Sequence, residues 1–433
     1  MKVLILGSGG REHALAYRLV KDEGVSEVVV MPGNPGIELS PSVSTIGENE
    51  NNKEEVLRIA KDLDPALIVI GPEKPLVMGM TDFLEENGFK VFGPSSKAAE
   101  LEGSKIFSKK IMDKYKVPTA KSENYPSLKL ALKGLDSWNF KKGIVIKSDA
   151  LAGGKGVVVT HSREIAEKTL NDFMNSAECS VTTENVLIEE KLLGKELSIF
   201  AICDGASFKV IGRACDYKRI GDGDTGPNTG GMGCYNPINW PHGSILERIE
   251  KEVFSPILKG MVKEKRPYKG VLFAGLMIKD DEINVIEFNA RFGDPETQVL
   301  MPLLEGNLFE NLLAAAKGNL EDTAELKISN KQALHIVVAS EGYPSIDNTP
   351  LNLGHPVSFA KSLVAGLQKK QNDLLFMAGV KKDVNGALVN SGGRVFGLTT
   401  IAKDLKQARN IAYSLLKKDL RFTGAYWRSD IGK

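Results

Sequence analysis

The chain has 433 residues, 42% of them hydrophobic and 26% charged, with a formal net charge of +1. This is an ordinary globular composition at about 100–200 residues per domain, which excludes collagen-like and disordered classes and predicts several domains. The charge balance offers nothing to draw nucleic acid or an anionic membrane, and no stretch approaches a transmembrane span or a signal peptide.

Strand and helix signals alternate from the N-terminus. KVLILG is a short apolar run halted by glycine, and REHALAYRLVKD sets Ala14, Leu15, Leu19 and Val20 at helical spacing. VSEVVVM, PALIVIG and KVFG continue as strands, with EEVLRIAKDL and MTDFLEENG as helices between them. The pattern predicts a doubly wound α/β domain over residues 1–103. The middle reads as α+β. KGIVIKSDALAGGKGVVVTH is two strands joined by a glycine loop, and ENVLIEEKLLGKELSIFAICDG is two strands broken at Gly194. GVLFAGLMIKDDEINVIEFNARF is a hairpin turning at Asp280–Glu282. Beyond Lys331, the strands QALHIVVAS, LLFMAGV and GRVFGLTTIA and a helix, LKQARNIAYSLLKK, predict a small β-rich C-terminal domain. The four cysteines, Cys179, Cys203, Cys215 and Cys234, lack metal-ligand spacing and read as reduced thiols of a cytoplasmic protein.

Several stretches carry chemistry. GSGGREH (7–13) follows a strand and opens a helix, where backbone N–H groups favour an anion. His13 stands at the third glycine of the dinucleotide fingerprint and no carboxylate ends the second strand, which argues against NAD. A tight turn that binds nothing is the plain alternative. DALAGGKGVVV is not a Walker loop, because glycine follows Lys155. A glycine loop between antiparallel strands can still fold over phosphates, with Lys147 just ahead of it.

Period two along VIEFNARFGDPE puts Glu287, Asn289 and Arg291 on one face and Phe288, Ala290 and Phe292 on the other. Carboxylate and amide oxygens suit Mg²⁺, arginine forks a carboxylate or phosphate, and Asp294 and Glu296 follow in a Gly-Asp-Pro turn. A solvated face with an Arg–Glu pair is the alternative. VLIEEKLLGKELS (186–198) has the form of an interdomain hinge. The backbone after Glu189 and Glu190 is expected to be free for an adenine edge, and Glu196 is placed to accept from ribose hydroxyls. GDGDTGPNTGGMGCYNP (221–237) is either a slack linker or a backbone shaped around a ligand. Pro227, and the self-bonding tendency of Asn228 and Thr229, favour the second.

GSGGREHALA, PGNPG, GPEKPLV, FGPSSKAAELEGSK, LAGGKGVVV, GDGDTGPNTGGMG, AGLMI and EFNARFGDPETQ occur in this order. Together they resemble the glycinamide ribonucleotide synthetase (phosphoribosylamine–glycine ligase) family of the ATP-grasp superfamily, over essentially the whole chain. The resemblance implies an N-terminal α/β domain (1–103), an ATP-grasp domain pair (104–328, with a mobile lid near 123–190) and a C-terminal domain (329–433). It implies ligation of glycine to 5-phosphoribosylamine through glycyl phosphate, with ATP and Mg²⁺ (or Mn²⁺), in the second step of de novo purine synthesis. It places Lys105, Lys147, Gly154, Lys155 and Gly156 on ATP phosphates, and Glu189, Glu190, Leu192 and Glu196 on adenosine. Glu287 and Asn289 would hold the metal, and Arg291, Asp294 and Asp216 would act in catalysis. Gly9, Gly10, Glu73, Lys218, Asn228, Thr229, Gly231 and Met232 would shape the phosphoribosylamine pocket, with Arg394 at its phosphate.

The chain departs from the family pattern at Gly153, Cys215, Tyr217, Leu303 and Met377. Tyr217 removes a histidine acid/base and shifts that work to Asp216. The glycine-rich stretch is expected to wall the acyl-transfer centre and to order mainly with substrates bound. An ATP-grasp ligase for another carboxylate, and a nucleotide sensor without catalysis, are the competing readings. The sequence leaves the oligomeric state open, a monomer among the options, and its ends read as those of a monofunctional enzyme.

Overall fold

The computed structural model describes residues 1–150, 156–175, 182–237, 240–345, 349–359 and 372–433. The N-terminal unit comprises β1 (Lys2–Gly7), α1 (Gly10–Leu19), β2 (Glu27–Pro32), β3 (Val43–Thr45), α2 (Lys53–Leu63), β4 (Leu67–Ile70), α3 (Glu73–Val77), α4 (Met80–Glu86), β5 (Val91–Phe92) and α5 (Ser96–Gly103). Its sheet is parallel, in the order β3-β2-β1-β4-β5. β4 is wholly apolar because both sheet faces are covered. The sequence reading misses β3 and α3, which are three and five residues long and too short to show a period.

After α6 (Lys105–Lys114), the chain builds a four-stranded antiparallel sheet from β6 (Ser122–Tyr125), β7 (Ile144–Ser148), β8 (Val157–Thr160) and β9 (Val186–Glu190), in the order β6-β9-β7-β8. Helices α7 (Leu128–Gly134) and α8 (Arg163–Asn175) cover it, and Ile144, Ile146, Leu170, Phe173 and Ile188 form a core of its own. At Gly194 the chain leaves this unit; φ is +148° there, and a Cβ would lie 2.4 Å from the Ile278 carbonyl oxygen.

The largest sheet has eight strands. One edge comprises β16 (Glu282–Asn289), β15 (Lys269–Lys279), β10 (Lys195–Asp204) and β11 (Phe208–Asp216). Between β11 and the next strand of this sheet lies a small hairpin, β12 (Arg219–Gly221) with β13 (Thr225–Asn228). The sheet then continues through β14 (Gly233–Tyr235) into the C-terminal strands Gln332–Ala339, Arg394–Ala402 and Asp373–Met377. One sheet therefore spans the expected boundary at 328/329. Its faces share cores with the N-terminal sheet: Leu4 and Leu6 pack with Leu272 and Leu276, while Val3 and Ile5 join Phe200, Phe273 and Phe292. Among the described residues, no helix is long and apolar enough to cross a membrane.

A buried ion pair fastens α1 to the central unit. Arg18 pairs with Asp22 and donates to the carbonyls of Leu304 and Gly306, and Asp22 accepts from the Phe309 N–H at 2.8 Å. Replacing Arg18 by Met strands the Asp22 carboxylate, a loss expected at about 3–5 kcal/mol. Urea denaturation should show a clearly lower midpoint for Arg18→Met; an unchanged midpoint contradicts the latch.

Candidate active site

Glu287 and Asn289 lie on one face of β16, opposite Gly275 and Phe273 of β15. Burial alone would raise the Glu287 carboxyl, but Lys218, Lys147, Lys105 and Arg291 hold it below its ordinary range. The Asn289 side-chain amide is 9% exposed and finds no hydrogen-bond partner among the described residues. β16 ends at Asn289, so the expected row of three is cut to two. Phe288 and Ala290 enter one core and Phe292 the other, because the chain turns away from the sheet after Ala290.

The cations around Glu287 come from separate elements. Lys105 opens α6 and donates to the Ala150 carbonyl at 3.0 Å. Burial lowers its pKa; Glu287 works against that shift and Lys147 adds to it. Lys147, on β7, is buried; its Nζ lies 2.8 Å from Glu189 Oε2 and donates to the Ile286 carbonyl at 3.1 Å. The other Glu189 oxygen lies 3.1 Å from Lys109 Nζ. Lys109 also donates to Thr119 and to the Ala120 carbonyl. The carboxylate of Glu189, a residue expected on adenosine, is thus held between two lysines. Lys109 escaped the sequence reading, although it stands four residues after Lys105 on the same helix face. Asp149 is a second omission. It accepts from the Ser104 hydroxyl at 3.1 Å and the Ile106 N–H at 3.2 Å, which ties the start of the glycine loop to α6.

Arg291 is braced from two sides. Its Nε donates to Glu73 at 2.9 Å, and its Nη2 lies 3.2 Å from Glu102, whose other oxygen accepts from the Ala290 N–H. Burial raises the Glu102 carboxyl despite Arg291, whereas Arg291 and Arg11 overcome burial to lower that of Glu73. Asp294 pairs with Arg394 at 3.2 Å and accepts from Gln298 at 2.8 Å. Arg394 also donates to the carbonyls of Gly230 and Asp294, so it joins a C-terminal strand to the glycine-rich stretch. A Cβ on Gly9 would come within 3.2 Å of Asp294, and one on Gly10 within 2.7 Å of Gln298. The first glycine loop therefore reaches the same place. Its Gly9 N–H is already occupied by Glu12, at 2.7 Å, with Arg11 pairing to the other Glu12 oxygen.

Lys218 lies 2.8 Å from Glu196, the residue expected on ribose. Glu196, Asp216 and Glu287 together raise the Lys218 pKa in spite of burial. Burial, with Glu296 and Glu196 nearby, pushes Asp216 up to about 7 against the pull of Lys218. Thr229 donates through both N–H and hydroxyl to the Lys218 carbonyl, and Gly231 N–H donates to the Thr229 hydroxyl. Asn228 ends β13, paired with Arg219. Met232 is corrected: its side chain is fully buried and its N–H and carbonyl bond Tyr217 and Val337, which leaves it nothing to offer a substrate. Thr229, Gly231 and Met232 are thus tied to their own chain by these bonds.

Glu190 is exposed and pairs with the Lys121 backbone, while the Lys191 N–H donates to Gly143. The free backbone expected after Glu190 begins only at Leu192, whose N–H has no partner among the described residues. Gly156 accepts from the Ser148 N–H at 2.9 Å, whereas Gly153, Gly154 and Lys155 lie outside the described residues. Leu303 is core, and Met377 is buried where a Cβ on Gly36 would meet it. Cys203, Cys215 and Cys234 are buried free thiols; Cys179 lies outside the described residues.

Comparison with known proteins places this geometry in a family. The phosphoribosylglycinamide synthetase N domain matches residues 1–102, its ATP-grasp domain 103–297 and its C domain 333–433. A phosphoribosylamine–glycine ligase of Leptospira interrogans is 41% identical over 439 residues, covering 100% of this chain and 98% of its own. The crystal structure of phosphoribosylamine–glycine ligase from Thermotoga maritima is 34% identical, covers 100% of both chains and superposes with a TM-score of 0.83. The biotin carboxylase domain of Hydrogenobacter thermophilus 2-oxoglutarate carboxylase, in complex with MgADP and bicarbonate, shares the fold at 16% identity and a TM-score of 0.72, over 98% of this chain and 91% of that one.

The Asp216 shift has a consequence for stability. Its carboxyl holds a proton more tightly folded than unfolded, so this group's contribution falls as pH rises from its ordinary 3.8 to about 7. Asp216→Asn removes that loss. Its gain in thermal midpoint over the unmodified protein should grow between pH 4 and pH 7 and level off above; a gain that is flat or shrinks with pH contradicts the assignment.

Proposed function

The chain belongs to the phosphoribosylglycinamide synthetase family, and from that premise we propose that it joins glycine to 5-phosphoribosylamine at the expense of ATP, giving glycinamide ribonucleotide, ADP and phosphate. The observation that carries the reading is the ionised Glu287 among Lys105, Lys147, Lys218 and Arg291. That is an electrostatic site suited to a polyphosphate and its counter-ion. A glycine carboxylate is a poor electrophile. Its oxygen attacks the γ-phosphorus, ADP departs and glycyl phosphate forms. The amine nitrogen then attacks the carbonyl carbon, and phosphate leaves with the former carboxylate oxygen.

Glu287 and Asn289 fit a hard divalent cation. They offer a carboxylate and an unpartnered amide, and among the described residues no third His, Cys, Asp or Glu joins a metal-holding group. Such a pair leaves coordination open to phosphates and water, as Mg²⁺ prefers, and the same oxygens would accept Mn²⁺. When bound, the ion neutralises phosphate oxygens. Lys105 and Lys147 orient the transferred group, with Lys109 and Glu189 fixing Lys147. Leu192 offers its backbone to adenine. Arg291, braced by Glu73 and Glu102, keeps its remaining N–H groups for glycine or the γ-phosphate. Asp216 accepts the proton released by the attacking amine, for which a pKa of about 7 is well matched. Arg394 and Asp294, with Gly9 and Gly10 alongside, bound the phosphoribosylamine side. The partners are small molecules, and a net charge of +1 gives nucleic acid no general hold. We place the enzyme in the cytoplasm.

The unmodified protein should release ADP only when glycine and phosphoribosylamine are both present; glycine-independent release, or none, contradicts the reading. Glu287→Gln should lower kcat about 100-fold or more, since a bound metal supplies several kcal/mol of charge stabilisation. Its circular dichroism spectrum should be unchanged, and Mg²⁺ titration should show weakened activation. Normal turnover in that variant contradicts the metal assignment.

A further inference from the structure

The hairpin β12–β13 cannot stand by itself. A two-stranded ribbon is marginal in water, and this one contributes a single aliphatic side chain, Ile220. Its turn holds Gly223 and Asp224 at positive φ. What fastens it is the C-terminal segment 426–432. Arg428 is 1% exposed, among the largest fully buried side chains of the molecule. Its Nη1 donates to Asp224 at 2.8 Å and to the Arg219 carbonyl at 3.0 Å. Its Nε and Nη2 fork the two oxygens of Asp430 at 2.8 and 2.7 Å, and Asp430 in turn accepts from the Gly223 N–H at 2.8 Å. The guanidinium lies over the Tyr217 ring, 4.8 Å from its centre. Around it, Ser429 bonds both oxygens of Asp222, Tyr426 donates to the Ile220 carbonyl at 2.9 Å, and the Gly432 N–H donates to the Tyr217 hydroxyl at 3.0 Å.

Both ends of the hairpin enter the active site. Ahead of it, Lys218 pairs with Glu196. Behind it, Thr229 bonds back to Lys218, and the Gly230 carbonyl accepts from Arg394, the partner of Asp294. A shift of the tip therefore moves Lys218 and residues 228–231 together. None of these bonds reaches β9 or Leu192, on the adenine side; the Lys218–Glu196 pair is the one that touches a residue expected on ribose.

We propose that Arg428 is a positioning residue for acyl transfer: through it the C-terminal segment fixes the glycine-rich hairpin, and with it Lys218 and Gly230, against the phosphoribosylamine side of the site. The inference rests on the ligase reading above. Arg428 touches no substrate; it sets where other groups stand. The fork to Asp430, together with the further bonds to Asp224 and the Arg219 carbonyl, needs a guanidinium, so lysine does not replace it.

Steady-state kinetics of Arg428→Met, Arg428→Lys and Tyr426→Phe, run beside the unmodified protein, test it. Both Arg428 variants should lose about 10- to 100-fold in kcat/KM for phosphoribosylamine, the scale of a small misplacement of reacting groups, with the KM for ATP within about twofold. Tyr426→Phe, which removes one hydroxyl from a part-exposed ring, should show the same split more weakly at an unchanged melting temperature. It decides the matter if the Arg428 variants fail to fold. Unchanged kinetics, or equal losses towards ATP and phosphoribosylamine, overturn the inference. An inactive unmodified protein instead overturns the ligase reading, and this inference with it.

Discussion

Cations that converge on one buried carboxylate repel one another, and much of this molecule can be understood as the means of keeping them there. Lys105, Lys147, Lys218 and Arg291 all act on Glu287. Three of them are backed by carboxylates of their own: Glu189 behind Lys147, Glu196 behind Lys218, Glu73 and Glu102 behind Arg291. Lys105 is held by a carbonyl instead, and burial lowers its pKa, a shift that phosphate oxygens would oppose. Charges so arranged suit a polyphosphate.

The fold supplies these groups from units that are far apart in sequence. α6 brings Lys105, β7 of the four-stranded sheet brings Lys147, the exit of β11 brings Lys218 and the exit of β16 brings Arg291. The N-terminal unit adds Glu73 and the first glycine loop, and the C-terminal strands add Arg394. The shared sheet and shared cores keep the C-terminal and N-terminal contributions in register with the centre. The four-stranded sheet has a separate core and meets the rest through such contacts as Lys147 with Ile286 and Asp149 with α6.

Much of this was legible in the sequence. Glycine-terminated apolar runs announced the parallel strands, and period two set Glu287 and Asn289 beside each other with Phe288 turned into the core. What the period could not show is where the strand stops: it ends at Asn289, and Phe292 beyond it packs into a different core. Local pattern also cannot name partners. Glu102, Lys109 and Arg428 look like ordinary helix or tail charges until folding brings them to Arg291, Glu189 and Asp224. Conversely, Met232 sits inside the glycine-rich stretch yet serves as core. Within the glycine-rich stretch, the turn at 222–224 is held by groups some 200 residues away, at Arg428, Ser429 and Asp430, which no local pattern reveals.

The central claim is that the assembled charge serves transfer of a phosphoryl group to the glycine carboxylate, followed by its departure from the acyl carbon. Oxygen bookkeeping reads that sequence directly. With glycine labelled by ¹⁸O in both carboxylate positions, the account predicts that each inorganic phosphate released carries one ¹⁸O and that the product amide keeps the other. Unlabelled phosphate, with both labels retained on the glycine moiety or lost to water, would contradict it.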